Sequence, residues 1–317
     1  MKPMTATGAS SITKAASKQT YYTIRFLVDR DRVEDAFRAY AYFRWVDDVL
    51  DADSSSGPVL NEAEASERIA FINRQKSLLE QCIRGEVPQG TNMQEKMLVE
   101  LVQSNRGKST GLRAYLRNMM LVMDFDARRR GRLVSQVELN EYTCWLAIAV
   151  TEALHYFIGH DSIAPRDERR YLAVAAAHIT HMLRDTYGDV QAGYYNIPRE
   201  VLEAGHIGPQ DVHSEAYRSW VRSRVELARG YFFAGKRYFS RVQNPRCRLA
   251  CFAYIARFDW LLDTLEKESY CVRPRYDERR GPRPGVRMAW FALSSTIYLP
   301  GASNLSRTIA SQGQDKA

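Results

Sequence analysis

The chain has 317 residues, of which 45% are hydrophobic and 26% charged, and its formal net charge is +8. A chain of this length can bury a sizeable core, and 18 glycines and 11 prolines exclude a collagenous or low-complexity protein. The positive charge favours an anionic partner, but no zinc-finger, RNA-binding or basic-zipper pattern occurs, so we expect no nucleic acid. The five cysteines lack a disulfide spacing, which favours free thiols in a reducing, cytoplasmic compartment.

Hydrophobic residues recur at helical spacing almost throughout, and no alternating strand pattern or membrane-spanning run occurs. We therefore expect an all-α domain over residues 18–299, between disordered tails at 1–17 and 300–317. In chain order, the segments predicted to be helical are 29–50, 61–84, 92–104, 112–130, 136–158, 167–190, 211–241, 247–269 and 286–297.

The first of these segments ends in an acidic pair. Asp47 and Asp51 are four residues apart, so both carboxylates project from one face of a helix. Carboxylates in this arrangement repel each other and cost helix stability unless a cation lies between them. Taken alone, the pair is also typical of a solvated helix end.

A second pair, Asp185 and Asp189, has the same spacing, with His181 one turn earlier and His178 nearly on the same face. The preceding helix is apolar, so a polar stripe on it needs partners if it is buried. Two such pairs on separate helices, each with an arginine beside it, indicate a cavity for two or three Mg²⁺ ions and an anionic substrate. The chemistry that this arrangement favours is diphosphate departure from an allylic carbon.

At these residues the chain resembles the squalene/phytoene synthase family of trans-isoprenyl diphosphate synthases, as a divergent member. Tyr40-Ala-Tyr-Phe-Arg-Trp-Val-Asp-Asp-Val-Leu-Asp51 resembles the first aspartate-rich helix of the family, and Met182-Leu-Arg-Asp-Thr-Tyr-Gly-Asp189 resembles the second. The resemblance covers about residues 18–275. It implies a single-domain isoprenoid-synthase helical bundle with a central prenyl pocket, and Mg²⁺-dependent condensation of two allylic diphosphates head to head.

The resemblance also implies roles for individual residues, matched by position. Metal ligation falls to aspartates of the two motifs, and diphosphate binding to the residues that flank them. His181 stands where the family has an asparagine ligand, so we include it among the metal and catalytic candidates. The candidates for metal ligation are Asp47, Asp48, Asp51, Asp185, Asp189 and His181, and those for substrate binding are Tyr40, Arg44, Arg184, Lys18, Thr20 and Ile148.

The departures from the family leave the reaction open. His178 and His181 replace glutamine and asparagine, and imidazole is less suited to Mg²⁺, although it could act as a base or be structural. Ile148 replaces a glycine beside which prenyl chains pass, so its bulk would narrow the second prenyl site. Tyr194 replaces an arginine in the loop after the second motif.

Three functions follow from these observations. The first is head-to-head condensation of two farnesyl or geranylgeranyl diphosphates, with the NADPH requirement open. The second is a one-prenyl enzyme that cyclises its substrate or transfers it to a small-molecule acceptor. The third is a helical binding protein without catalysis, against which the intact aspartate pairs argue. The oligomeric state is left open.

Two further groups of residues have simpler interpretations. We expect the basic runs at 128–132 and 273–280 to be solvated, with peripheral contact to an anionic membrane left open. We expect Phe252, Tyr254 and Phe258 to line a prenyl tunnel or to belong to the core.

Overall fold

The computed structural model describes residues 6–52, 61–104, 109–159 and 167–277. These ranges contain no strand, and two short 3-10 helices, at Arg30–Arg32 and Glu168–Arg170, precede longer helices. The predicted all-α class is therefore confirmed. The α-helices are α1 (Ala6–Ala16), α2 (Lys18–Leu27), α3 (Val33–Asp51), α4 (Glu62–Ile83), α5 (Met93–Ser104), α6 (Thr110–Arg129), α7 (Gln136–Phe157), α8 (Leu172–Gln191), α9 (Arg199–Gly205), α10 (Glu215–Phe239) and α11 (Pro245–Lys267).

The beginning of the chain differs from the prediction, because α1 occupies part of the segment expected to be a disordered tail. Ala9 is 2% exposed and Thr13 is fully buried, and α1 packs against α3. The Thr13 hydroxyl donates to the Ala9 carbonyl at 2.9 Å, so this polar side chain is buried without an unsatisfied donor. Ile12 is the only large hydrophobic residue of α1, so its sequence carries no helical repeat of apolar residues that would predict a buried face. The predicted C-terminal helix and tail lie outside the described residues.

Local signals in the sequence explain where several helices begin and end. Asn61 with Glu64, and Ser135 with Glu138, form capping boxes at the starts of α4 and α7. Gly85 follows α4 with a φ of +83°, a conformation that L-residues adopt only with strain. These signals account for the agreement of the predicted boundaries to within a few residues.

Helix α8, which carries the second acidic motif, is held between α7 and α10. Its contact with α10 is unusually close, because a Cβ atom placed on Gly235 would lie 2.4 Å from the Cβ atom of Ala173. Residues Ala173 to Thr180 are all buried. The position of the second motif is therefore fixed by a close helix contact at Ala173, about two and a half turns before Met182, where the motif begins.

Within the described part of the chain, no helix is both long enough and apolar enough to cross a membrane.

Candidate active site

A cavity of about 410 Å³ opens beside the first acidic motif, between α2, α3, α6, α7 and α11. Its interior is apolar, and its polar residues include Tyr40, Arg44, Asp47 and Arg257. Thr20 of α2, one of the residues predicted to bind substrate, also lines it. An apolar cavity with a few charged groups at one place is suited to a ligand with a hydrophobic chain and an anionic head. The apolar lining includes Ile24, Phe43, Tyr115, Met119, Met123, Leu146, Val150, Leu154, Phe157 and Tyr254.

The carboxylates of the first motif share one arginine. Arg44 Nη1 lies 3.1 Å from Asp47 Oδ2, and the other guanidinium nitrogen contacts Asp48, whose side chain is 54% exposed. Partial burial and the charge of Asp51 raise the pKa of Asp47 to about 6, against the opposing effect of Arg44. Asp47 is therefore a carboxylate with too little positive charge around it, and Asp48 points towards solvent.

The second motif begins with a carboxylate that is fully paired. Arg184 donates to both oxygens of Asp185 at 2.6 Å, and His181 Nε2 lies 2.8 Å from Asp185 Oδ2. Although burial opposes them, these hydrogen bonds lower the pKa of Asp185 well below its ordinary value. The predicted proximity of His181 to the acidic pair is thus present, and the His181 side chain is 47% exposed.

Asp189, one turn later, lies in a different environment. The Asn196 amide donates to Asp189 Oδ2 at 2.6 Å, and its own oxygen accepts from Arg129 Nη1 at 2.7 Å. Burial and the charge of Asp185 raise the pKa of Asp189 to about 7, although Arg129 opposes this. Asp189 is therefore held in place by a neutral group and has only an indirect cationic partner.

A further carboxylate, Asp126 of α6, lies between the two motifs. Its charge contributes to raising the pKa of Asp47 and also that of Asp189, so it is close enough to act on both. It accepts a hydrogen bond from Tyr142 at 2.9 Å and pairs with Arg129 at 2.7 Å. Asp126 was not among the predicted site residues, because no second acidic residue lies at helical spacing from it.

The basic run at 128–132 is only partly solvated, since Arg128 and Arg132 are exposed as predicted but the two arginines between them are not. Arg129 is 6% exposed and Arg130 is 7% exposed. The Arg129 guanidinium lies over the rings of Tyr142 and Tyr194, 4.8 and 5.0 Å from their centres. The run could not be assigned correctly from charge alone, because its partners Asp126 and Asn196 come from the same helix end and from a distant loop.

Tyr194, where the family has an arginine, connects Asp51 to another helix. Its hydroxyl lies 3.5 Å from Asp51 Oδ1 and accepts from Arg68 Nη2 at 2.8 Å. Arg68 of α4 is 3% exposed, and two of its buried nitrogens have no hydrogen-bond partner. The guanidinium near Asp51 therefore belongs to Arg68 of α4 and not to a residue of the loop that contains Tyr194.

Several sequence candidates do not lie in the cavity. Lys18 is exposed and is not among the residues that line it, and Ile148 lines neither this cavity nor the second one described below. The α7 wall is formed instead by Leu146, Val150 and residues further along the same face, whereas position 148 is turned away from that face. The narrowing expected at Ile148 therefore has no counterpart in the structure.

Among the aromatic candidates of α11, Tyr254 lines the cavity, whereas Phe252 and Phe258 do not. Arg257, on the same helix, was not predicted. Burial lowers its pKa, while Tyr40 and Asp185 act to raise it and Arg184 adds to the lowering. Arg257 therefore lies near both motifs. No sequence signal distinguished it from the many other arginines.

His178 is buried, with its ring edge-on to Tyr142 at 4.8 Å between centres. Neither ring nitrogen has a hydrogen-bond partner, and burial lowers the pKa of His178 to about 3. A base with so low a pKa is poorly matched to proton removal near neutral pH. The geometry therefore favours a structural interpretation of His178.

The carboxylates of this site are suited to a hard cation, since all the donors are oxygens. The raised pKa values of Asp47 and Asp189 are caused first by burial and then by the charge of the neighbouring Asp51 and Asp185, respectively. As the side chains stand, no group of three or more acidic, histidine or cysteine residues in the described ranges is close enough to hold an ion. Arg44 and Arg184 instead form ion pairs with Asp47 and Asp185, respectively.

Comparison with known proteins finds similar sequences and similar folds. Over 112 residues the chain is 30% identical to 15-cis-phytoene synthase of Synechocystis sp., a match that spans 34% of this chain and a third (33%) of that protein. The fold matches that of squalene synthase HpnC from Alicyclobacillus acidocaldarius, with a TM-score of 0.64 and 17% identity over 84% of this chain and 95% of that one. It also matches a dehydrosqualene synthase in complex with ligand, with a TM-score of 0.66 and 16% identity over 92% and 95% of the two chains. The sequence pattern of squalene/phytoene synthases matches residues 13–287, so the chain belongs to the squalene/phytoene synthase family.

Proposed function

We propose that the protein is a Mg²⁺-dependent, diphosphate-releasing prenyltransferase that joins two allylic prenyl diphosphates, farnesyl or geranylgeranyl, head to head. Membership of the family and the fold support a prenyltransferase-type synthase. The observation that carries the proposal is the apolar cavity with Arg44, Asp47 and Arg257 at one place in its lining. A prenyl chain fits an apolar lining, and a diphosphate fits the charged groups.

Different residues of the chain would bind the diphosphate and stabilise the allylic cation that its departure leaves. Arg44 and Arg257 supply positive charge to the diphosphate, and Arg184 joins them once it releases Asp185. These groups stabilise the negative charge that develops on the leaving diphosphate. The aromatic rings and methionines of the cavity surround the allylic cation and keep water away from it.

The metal would be held by Asp47 and Asp51 on α3 and by Asp185 and Asp189 on α8, with Asp126 facing both. Bound Mg²⁺ supplies the cationic charge that ties these carboxylates to the diphosphate oxygens. Because Arg44 and Arg184 pair with two of the carboxylates in the free protein, we expect these arginines to exchange a carboxylate for a diphosphate oxygen when substrate binds.

A second candidate function rests on His181. Its imidazole is 47% exposed and lies beside Asp185, where it could accept a proton from a small-molecule acceptor. The enzyme would then transfer one prenyl group to that acceptor, or cyclise the prenyl group, instead of joining two prenyl chains.

One experiment separates these candidates. The protein is incubated with farnesyl or geranylgeranyl diphosphate and Mg²⁺, with and without NADPH, and released diphosphate and extractable products are measured. A C30 or C40 hydrocarbon or its cyclopropyl diphosphate precursor supports condensation, and a cyclic terpene or acceptor adduct supports the second candidate. Absence of diphosphate release from a folded protein would contradict both.

The control variant is Asp124→Asn, compared with Asp126→Asn. Both positions are on α6, but Asp124 pairs with Lys76 at 3.3 Å and with Arg128 at 3.0 Å, outside the site. We expect loss of diphosphate release only in Asp126→Asn.

A further inference from the structure

A second cavity, of about 570 Å³, lies between α7, α8 and α10. Its volume falls in the range of pockets that bind small organic molecules. A small buried cluster of Ala147, Val174 and Ala175, with Tyr254 and Tyr231 packed against it, lies between this cavity and the candidate active site. The two cavities are therefore built on opposite sides of α7 and have no lining residue in common.

Two residues that line the second cavity carry buried donors without acceptors. Trp220 and Arg224 are four residues apart on α10, so their side chains lie on one face of the helix, and both line the cavity. Trp220 Nε1 and Arg224 Nε are buried and have no hydrogen-bond partner in the structure. Buried donors of this kind cost free energy unless a ligand or water satisfies them.

Arg224 lacks the acidic partner that two other arginines of α10 have. Arg222, two residues earlier, pairs with Glu226 at 2.9 Å, and Arg229 pairs with Glu266 at 2.6 Å. Arg224 forms no ion pair within the described ranges, and burial lowers its pKa. Glu168 also lines the cavity but is exposed, and it does not pair with Arg224. A partly buried cation without a counter-ion is stabilised when an anion binds beside it.

Most of the remaining lining is apolar. Leu172 and Ile179 of α8 face Leu227 of α10 across the cavity, and Leu139 and Ala147 close it on the α7 side. Arg224 is the only cation in the lining within the described ranges, and the leucines provide a surface for a hydrocarbon chain. Further polar groups in the lining come from Asn140, Thr143, Glu168 and Asn196.

We propose that this second cavity binds an amphipathic monoanion, with an alkyl chain among the leucines and a carboxylate or phosphate monoester head at Arg224 and Trp220. A single guanidinium matches one anionic group, and the cavity has no pair of aspartates through which a metal would bind a diphosphate. This binding is distinct from the prenyl transfer proposed above, because the two cavities share no lining residue. Asn196, which lines the second cavity, also donates to Asp189.

The proposal is tested by calorimetric titration with decanoate, decyl phosphate and the uncharged 1-decanol. We expect wild type to bind at least one anion, and Arg224→Gln to weaken that binding by about tenfold or more, since hydrogen bonds to charged groups are the strong ones. Trp220→Phe should weaken it severalfold. Arg222→Gln, an exposed neighbour with its own partner, should bind as wild type does.

Cys144 provides an independent measurement at the cavity itself. Its thiol is exposed and it lines the cavity, whereas Cys271 does not. Bound anion should slow the reaction of Cys144 with N-ethylmaleimide, followed by peptide mass spectrometry, and leave Cys271 unchanged. Arg224→Gln should remove this protection.

Binding in the active-site cavity instead is detected with Arg257→Gln. If this variant abolishes anion binding while Arg224→Gln does not, the second cavity is not the site. The proposal is equally overturned if neither anion binds wild type, or if 1-decanol binds as tightly as the anions. Circular dichroism checks the fold of each variant, and diphosphate release by Arg224→Gln should equal that of wild type.

Discussion

The two acidic helices have the same spacing of aspartates but different electrostatics. On α8, Asp185 is held by both nitrogens of Arg184 at 2.6 Å and by His181. On α3, Asp47 has a single contact with Arg44, which also serves Asp48. The pKa of Asp185 is accordingly lowered by its hydrogen bonds despite burial, whereas burial and Asp51 raise the pKa of Asp47 to about 6. Equal spacing therefore does not imply equal charge state.

The difference comes from residues outside the motifs. Asp126 places a third carboxylate between the helices, and its charge acts on Asp47 and Asp189. Arg129 pairs with Asp126 and also donates to Asn196, which in turn donates to Asp189 on α8. Asp189 therefore has only an indirect cationic partner. Asp185 and Asp126 are thus held in close ion pairs, whereas the pKa values of Asp47 and Asp189 are raised, mainly by burial. This is a suitable starting state for binding a cation together with an anionic substrate.

The largest effect should come from removing one carboxylate from each helix. We expect Asp47→Asn and Asp185→Asn each to reduce diphosphate release by about a hundredfold or more, since each removes charge that orients the departing group. Diphosphate release and circular dichroism are measured together. Near-normal turnover in either folded variant would show that the two helices do not share one metal site.

The position of α8 can be disturbed without touching its carboxylates. Gly235→Ala places a methyl group against Ala173, and overpacking of this kind costs about 1–3 kcal/mol of unfolding free energy. Gly230→Ala, on the same helix but with no atom within 4 Å of the added Cβ, should instead stabilise by about 0.5–1 kcal/mol. Urea denaturation measures both. Equal behaviour of the two variants would mean that the α8–α10 contact does not set the position of the second motif.

The change in melting temperature relative to wild type should differ in sign between the same two aspartate variants. Asp185→Asn leaves Arg184 without its partner, so we expect a lower melting temperature, by an amount that corresponds to about 1 kcal/mol because the pair is partly exposed. Asp47→Asn removes a carboxylate that is repelled by Asp51, so its melting temperature should be equal to or above that of wild type. A loss of stability in Asp47→Asn would contradict the asymmetry described above.

The pH dependence follows from the raised pKa values. Asp189, with a pKa of about 7, and Asp47, with a pKa of about 6, hold protons in the folded state that the unfolded chain loses near pH 4. Their contribution to stability is therefore lost as pH rises from about 4 through about 7. Buried His178, with a pKa of about 3, acts in the opposite direction, because only the unfolded chain binds a proton there as the pH falls below its ordinary pKa. When the pH is lowered from 8 to 5.5, metal-free wild type should therefore gain more in melting temperature than Asp189→Asn does, which changes the slope against pH. An identical slope in both proteins would show that Asp189 does not titrate in this range.

The sequence was sufficient for the fold and for the motifs, but not for their surroundings. Helical spacing and capping residues such as Ser135 and Asn61 are local, so they could be read directly from the chain. Asp126, Arg257 and Arg68 reach the site from distant positions, and no local pattern marks them. Arg129 was misassigned for the same reason, since its burial depends on Asn196, 67 residues away.

The smallest effect, and the one that separates the two proposed functions, concerns His181. In the free protein its Nε2 lies 2.8 Å from Asp185 Oδ2, so it helps to hold Asp185 in its pair with Arg184. His181→Asn removes one hydrogen bond between partly exposed groups, which should change the unfolding free energy by less than about 1 kcal/mol.

The same variant, His181→Asn, also supplies an amide oxygen, which Mg²⁺ prefers to imidazole. If the enzyme joins two prenyl chains, this variant should bind Mg²⁺ with pyrophosphate severalfold more tightly in calorimetry and keep its product. If His181 is instead the base for an acceptor, diphosphate release should persist while product formation falls. His178→Gln, at the buried histidine one turn earlier, is the matched control and should leave the ratio of product to released diphosphate unchanged.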